Sequence, residues 1–144
     1  MTARDRFNQT RQYVIELDTI KARLSEHGEE WQPEQVHVSG TSDPTANQAV
    51  YNVDVLGDVL DDLRKREAWL ENFIGVSLMV IDRVNHGLGE EYASILEQRY
   101  IDCLAWKDVV MGCSVSTGKR MLNVAFDWID SLGLTKLERG DYEI

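Results

Sequence analysis

Residues 44–84 read PTANQAVYNVDVLGDVLDDLRKREAWLENFIGVSLMVIDRV. Ala49, Val53, Leu56, Leu60, Leu63, Glu67, Leu70, Ile74, Ser77, Ile81 and Val84 follow one another at alternating steps of four and three for five heptads. That is the spacing of a helix burying one narrow stripe against another helix. Val59, Phe73 and Val80 flank the seam. Asp43 is suited to cap the start, and Pro44 fits a first helical turn, where its missing N–H costs nothing. Gly87 and Gly89 mark the end. A helix of this length spans about 60 Å at 1.5 Å per residue, too long to bury its stripe on a small domain alone. The pattern therefore predicts a helical hairpin with an earlier segment, self-association, or both, with a homodimer as the expected oligomer. Glu67 and Ser77 break the apolar seam, either to set register or because the partner helix has ended there.

The earlier segment runs from about Asp5 to Glu26. Phe7, Thr10, Val14, Leu17, Lys21 and Leu24 repeat at helical spacing, Tyr13 and Ile20 widen the face, and His27-Gly28 is the expected stop. Residues 28–43 read as a loop, with Trp31 as a hydrophobic anchor and a short extended piece at 35–38.

The totals narrow the classes. With 144 residues, 43% of them hydrophobic, the chain makes one domain or one small domain with a helical extension. Two prolines and ten glycines are too few for a sandwich of many short strands. The start, MTARDRFNQTRQ, has no apolar leader and no run reaches a membrane span, so the expected location is the cytoplasm, with no membrane partner. Cys103 and Cys113 are expected to be reduced thiols packed as small hydrophobes. His27, His37 and His86 stand apart, and no P-loop or dinucleotide fingerprint occurs, so neither an enzyme, a cofactor nor a metal site is expected.

Charge is the informative total. There are 25 acidic residues against 15 Lys plus Arg, a net −10, spread along the chain. Binding to nucleic acid by overall charge is excluded, because such affinity comes from releasing counterions at phosphates. A contact with DNA has to be local. Residues 102–130, DCLAWKDVVMGCSVSTGKRMLNVAFDWID, contain one place for it, since no acid falls between Asp108 and Asp127. Inside that gap stand Ser114, Ser116, Thr117, Lys119, Arg120 and Asn123, the candidate DNA-binding residues.

The periodicity around the gap predicts a helix from Glu90 bearing Tyr92, Leu96, Tyr100 and Cys103 on one face. A short helix over Ala105–Met111, a turn at Gly112-Cys113 and a longer helix from Ser114 to about Ser131 come next. On the last helix Gly118, Leu122, Ala125, Ile129 and Leu132 make the inner stripe, and Ser116, Lys119, Arg120, Asn123 and Asp127 the opposite one. Short helix, tight turn and a longer helix with a basic outer face describe a helix-turn-helix. In a major groove Lys and Arg meet guanine or phosphate, Asn pairs with adenine, and the free N–H groups beside the Ser114 cap can hold a phosphate. The alternative is an ordinary amphipathic helix whose acids fall elsewhere.

Leu96, Arg99-Tyr100-Ile101-Asp102, Trp106 and Asp108-Val109-Val110, followed by Ser114, Thr117, Arg120 and Ala125, resemble the promoter-reading C-terminal domain of sigma factors. The likeness is closer to sigma-like phage regulators of the RinA and ArpU type, which also place a step like Ser42-Asp43-Pro44-Thr45-Ala46 and a long helical region before a C-terminal helix-turn-helix. It covers about 40 residues well and the remainder in layout. Two departures stand out: the stretch from Asp108 to Ser114 is two residues short, and Gly118 replaces a Val-like residue.

The expected fold is therefore all-α. Residues 1–88 form a coiled-coil-like hairpin with loop 28–43, residues 89–133 a three-helix domain with the helix-turn-helix, and residues 134–144 a frayed tail. The resemblance implies sequence-specific binding of double-stranded DNA and control of phage or prophage genes. Two alternatives remain open, a small terminase-like packaging subunit and a helical interaction module that contacts RNA polymerase.

Overall fold

A computed structural model describes residues 1–30 and 44–139. Trp31, Asp43, the extended piece at 35–38 and residues 140–144 lie outside them. The described chain is all-α, with no strand among the described residues and no helix long and apolar enough to cross a membrane. Among the described residues five α-helices occur in order: α1 (Ala3–Glu30), α2 (Pro44–Gly87), α3 (Glu90–Leu96), α4 (Val115–Leu132) and α5 (Leu134–Arg139). The chain divides into two compact units, Met1–Ile15 with Glu71–Ile144, and Glu16–Leu70.

The smaller unit buries Leu17, Ile20, Leu60 and Leu70. Arg66 grips Glu16 through Nε at 2.8 Å and Nη2 at 3.2 Å and lies over the Trp69 ring at 4.7 Å. Lys21 is exposed and Ile20 is buried in its place, because an ammonium cannot enter an apolar seam without leaving water. Expected to stop at His27-Gly28, α1 instead runs on to Glu30. One interior glycine costs about 1 kcal/mol, which does not suffice to end a long helix.

The larger unit is organised on Phe7. Its ring meets Tyr100 at 5.7 Å and Phe126 at 5.8 Å, and those two rings lie 5.8 Å apart. Leu96, Val80, Val84, Ala125, Ile129 and Leu137 complete the core around this triangle. The polar break at Ser77 is buried and satisfied. Its hydroxyl shares a 2.8 Å hydrogen bond with Thr10 and accepts from Arg6 Nε at 3.2 Å.

The larger unit departs from expectation at two further places. Residues 134–139 are not frayed: Gly133, at a φ of 98° that glycine adopts freely, turns the chain into α5, and Leu137 is fully buried. Nor do residues 105–111 form an α-helix. Only Trp106–Asp108 makes a single 3-10 turn, and Val109 is already extended at φ −72°, ψ 124°. The reason is local competition. Gln98 donates to the Val110 carbonyl at 2.9 Å and accepts the Val110 N–H at 2.7 Å, taking both groups a helix would use. Two adjacent β-branched valines do little to resist.

After α3 the backbone widens into a π turn over Glu97–Ile101, with the Asp102 N–H on the Glu97 carbonyl at 2.9 Å. Cys103 then enters the left-handed region at φ 56°, and the Leu104 N–H closes on the Gln98 carbonyl at 2.9 Å. This stop aims the chain from Tyr100 towards Trp106.

Candidate functional site

Helix α4 starts where its sequence says it should. The Ser114 hydroxyl accepts the Thr117 N–H at 3.2 Å as an N-cap, and the hydroxyl itself donates to Thr117 Oγ1 at 3.1 Å. Gly118, Leu122, Ala125, Phe126 and Ile129 are buried; Leu132, expected on the same stripe, is half-buried. Ser116, Thr117, Lys119, Arg120 and Asn123 are exposed, as is Asp127 one turn beyond. The amphipathic division read from spacing is thus the division found.

Gly118 has a reason in the packing. A Cβ built there would stand 2.7 Å from the Met111 sulfur and 3.2 Å from the Trp106 ring. The residues before α4 lie directly on its first turn, so a side chain at 118 fits only if Met111 moves.

The candidate residues are not equivalent. Ser114 and Thr117 spend their hydroxyls on the cap. Ser116 and Arg120 are exposed at the surface. Lys119 places its ammonium 5.9 Å from the centre of the Trp106 ring. Asn123 accepts a hydrogen bond from Arg4, whose guanidinium also lies 4.9 Å over the Phe126 ring.

Through those last two residues the face runs into a groove of about 480 Å³, shaped by α1, the π turn, the 3-10 turn and α4. Arg4 and Asn8 come from α1, Arg99 and Tyr100 from the π turn. Arg99 donates to the Leu104 carbonyl at 2.6 Å and lies 4.8 Å over Trp106. Burial pushes the Tyr100 phenol above its ordinary pKa, against the opposing pull of Arg4, Arg99 and Arg11. The hydroxyl stays protonated at neutral pH.

Reading the sequence located α4 but missed Arg4, Asn8 and Arg99 as neighbours of the face. Arg4 and Asn123 are 119 positions apart, and no local pattern carries that information. Arg99 falls within the Arg99-Tyr100 pair of the resemblance, the one signal that pointed at it.

Fold and site together define an all-α chain presenting a basic-faced helix beside a cation-lined groove. Comparison with protein-family models, with curated proteins and with solved structures finds no match.

Proposed function

We propose that this chain is a sequence-specific DNA-binding regulator of transcription, acting on phage or prophage genes, with α4 as the helix that enters the major groove. The observation that carries the reading is the outer face of α4. Ser116, Lys119, Arg120 and Asn123 are exposed on a helix whose opposite side is locked in the core, and no acid interrupts the face before Asp127. In a chain of net charge −10, an acid-free basic face meets the need of a local contact with a polyanion. The first limb of the helix-turn-helix is reduced to the 3-10 turn at Trp106–Asp108, and Met111 and Trp106 packed on Gly118 take over its bracing task. Residues 1–88 act as a helical hairpin that pairs two copies on DNA.

The test is binding of the full chain to prophage promoter duplexes across a salt series. Arg120→Ala should weaken binding by about 1–3 kcal/mol, mainly at one base position. Lys119→Ala should weaken it evenly across sequences and flatten the salt slope by about one unit. Unchanged binding in the double variant would remove DNA as the partner.

One observation favours a second reading, a module that docks on RNA polymerase or another regulator. Val110 is 80% exposed where the first limb is lost, and Val115 and Val124 are exposed nearby in sequence. Binding of polymerase but not of duplex would select it.

A further inference from the structure

The groove beside α4 has a composition at odds with the chain that carries it. Arg4, Arg99 and Lys119 line it together with Asn8, Asn123 and Trp106, and no Asp or Glu does. None of the three cations forms an ion pair with a carboxylate among the described residues. Like charges brought together in a shallow, partly enclosed space repel, and a surplus of acidic residues exists elsewhere to neutralise them. Each cation is nevertheless held in place by uncharged partners: Arg4 by Asn123 and the Phe126 ring, Arg99 by the Leu104 carbonyl and Trp106, Lys119 by Trp106. They are positioned without being neutralised.

The remaining polar groups point the same way. Asn123 uses its carbonyl oxygen on Arg4, which leaves its NH2 as a donor. Tyr100, a lining residue, keeps its hydroxyl protonated at neutral pH and so adds no negative charge. Guanidinium, ammonium and amide NH2 in one lining are the donors and positive charge that a tetrahedral oxyanion takes. The volume falls within the range of pockets that hold small ligands, with room for more than a bare ion.

We propose that this groove is a phosphate-binding site, in which Arg4, Arg99 and Lys119 clamp the phosphate group of a nucleic-acid strand or of a free phosphate ester. Assigning the phosphate to DNA rests on α4 being the DNA-reading helix, since Lys119 and Asn123 belong to both surfaces; the clamp itself does not. On DNA the site would fix the register of α4 from the strand flanking the groove that it reads.

The experiment titrates the full chain with inorganic phosphate, with adenosine monophosphate and with promoter duplex, at constant ionic strength maintained with chloride. Tryptophan fluorescence reports the small ligands through Trp106, and anisotropy of labelled DNA reports the duplex. The variants are Arg4→Gln alone, which leaves α4 intact, and Arg4→Gln with Lys119→Gln, both at exposed positions chosen to spare the fold; Lys136→Gln, an exposed cation of α5, controls for net charge. Saturable phosphate binding is expected, weakened by roughly tenfold or more per cation removed and untouched by Lys136→Gln. A matching loss of duplex affinity assigns the phosphate to DNA. Phosphate or nucleotide bound by a protein that ignores duplex leaves the clamp standing and removes the DNA reading. Duplex binding that falls with Arg4→Gln alone, without measurable free phosphate binding, supports the clamp with the strand as its source. The proposal is overturned if wild type shows no saturable phosphate binding and Arg4→Gln alone binds duplex like the Lys136→Gln control.

Discussion

Arg6 on α1 and Glu138 on α5 are joined by an ion pair of 3.1 Å, linking the beginning of the described chain to its last helix. The Arg6 side chain is 10% exposed and that of Glu138 25%, so water screens the pair poorly. The same guanidinium donates to the Phe73 carbonyl at 3.0 Å and lies 3.5 Å over the Phe73 ring. Burial lowers the Arg6 pKa from its ordinary value, with Glu138 and Tyr13 opposing the shift. The charge is tolerated because its hydrogen bonds are made.

Arg6→Ala leaves Glu138, Ser77 and the Phe73 carbonyl without that partner at once. It should destabilise the protein by about 2–4 kcal/mol, more than a surface ion pair is worth. Urea unfolding followed by circular dichroism measures the loss. Arg6→Met, which fills the space without the charge, should lose less.

Gly118 sets helix propensity against packing. Propensity alone favours any replacement but proline by up to about 1 kcal/mol. Space opposes it, since Met111 and Trp106 stand where a side chain would go. Gly118→Val should therefore lower stability by about 1–3 kcal/mol. Gly118→Ala should fall near neutral, because the Met111 thioether can swing aside. Thermal melts of the two variants decide whether packing or propensity governs this turn.

Tyr100 predicts an alkaline weakness. Its folded pKa lies above the ordinary value near 10 because burial disfavours the phenolate. The unfolded chain therefore releases this proton first, and stability is fully present below about pH 10 and lost as pH rises through the folded value. Absorbance near 295 nm should show one tyrosine ionising late, together with unfolding. Tyr100→Phe should remove that late step.

Self-association is expected from the α2 surface. Val55, Val59 and Trp69 remain exposed on the smaller unit, although the seam residues Leu60 and Leu70 are buried. A dimer through these positions is expected, and Trp69→Glu with Val59→Glu should convert it to monomer with helicity retained. Sedimentation at tens of micromolar, showing wild type as a monomer already, would remove the dimer.

Some of the molecule is legible without coordinates. The α2 heptads, the Ser114 cap and the inner stripe of α4 are all local regularities, with periods of seven residues or fewer. Boundaries are less legible. Gly28 reads as a stop and is passed through, while Gly133 is a turn that starts another helix. The difference lies beyond the second glycine: Leu137, four residues after Gly133, finds a buried place that stabilises the last turn.

What the sequence determined by itself is whatever a few neighbouring residues decide: helix against strand, which face of α4 turns inward, and where acids are withheld. Tertiary structure alone decided the fate of residues 105–111, because the groups that unmake that helix belong to Gln98. It alone brought Arg4 to Asn123 and both towards Arg99 and Lys119, making a cation-lined groove from four separate segments. The physical reason is range. Backbone hydrogen bonds and side-chain periodicity act over one or two turns and leave a trace in the order of residues. Packing of the Phe7, Tyr100 and Phe126 rings instead joins positions about a hundred residues apart, and the groove exists only once that core has closed.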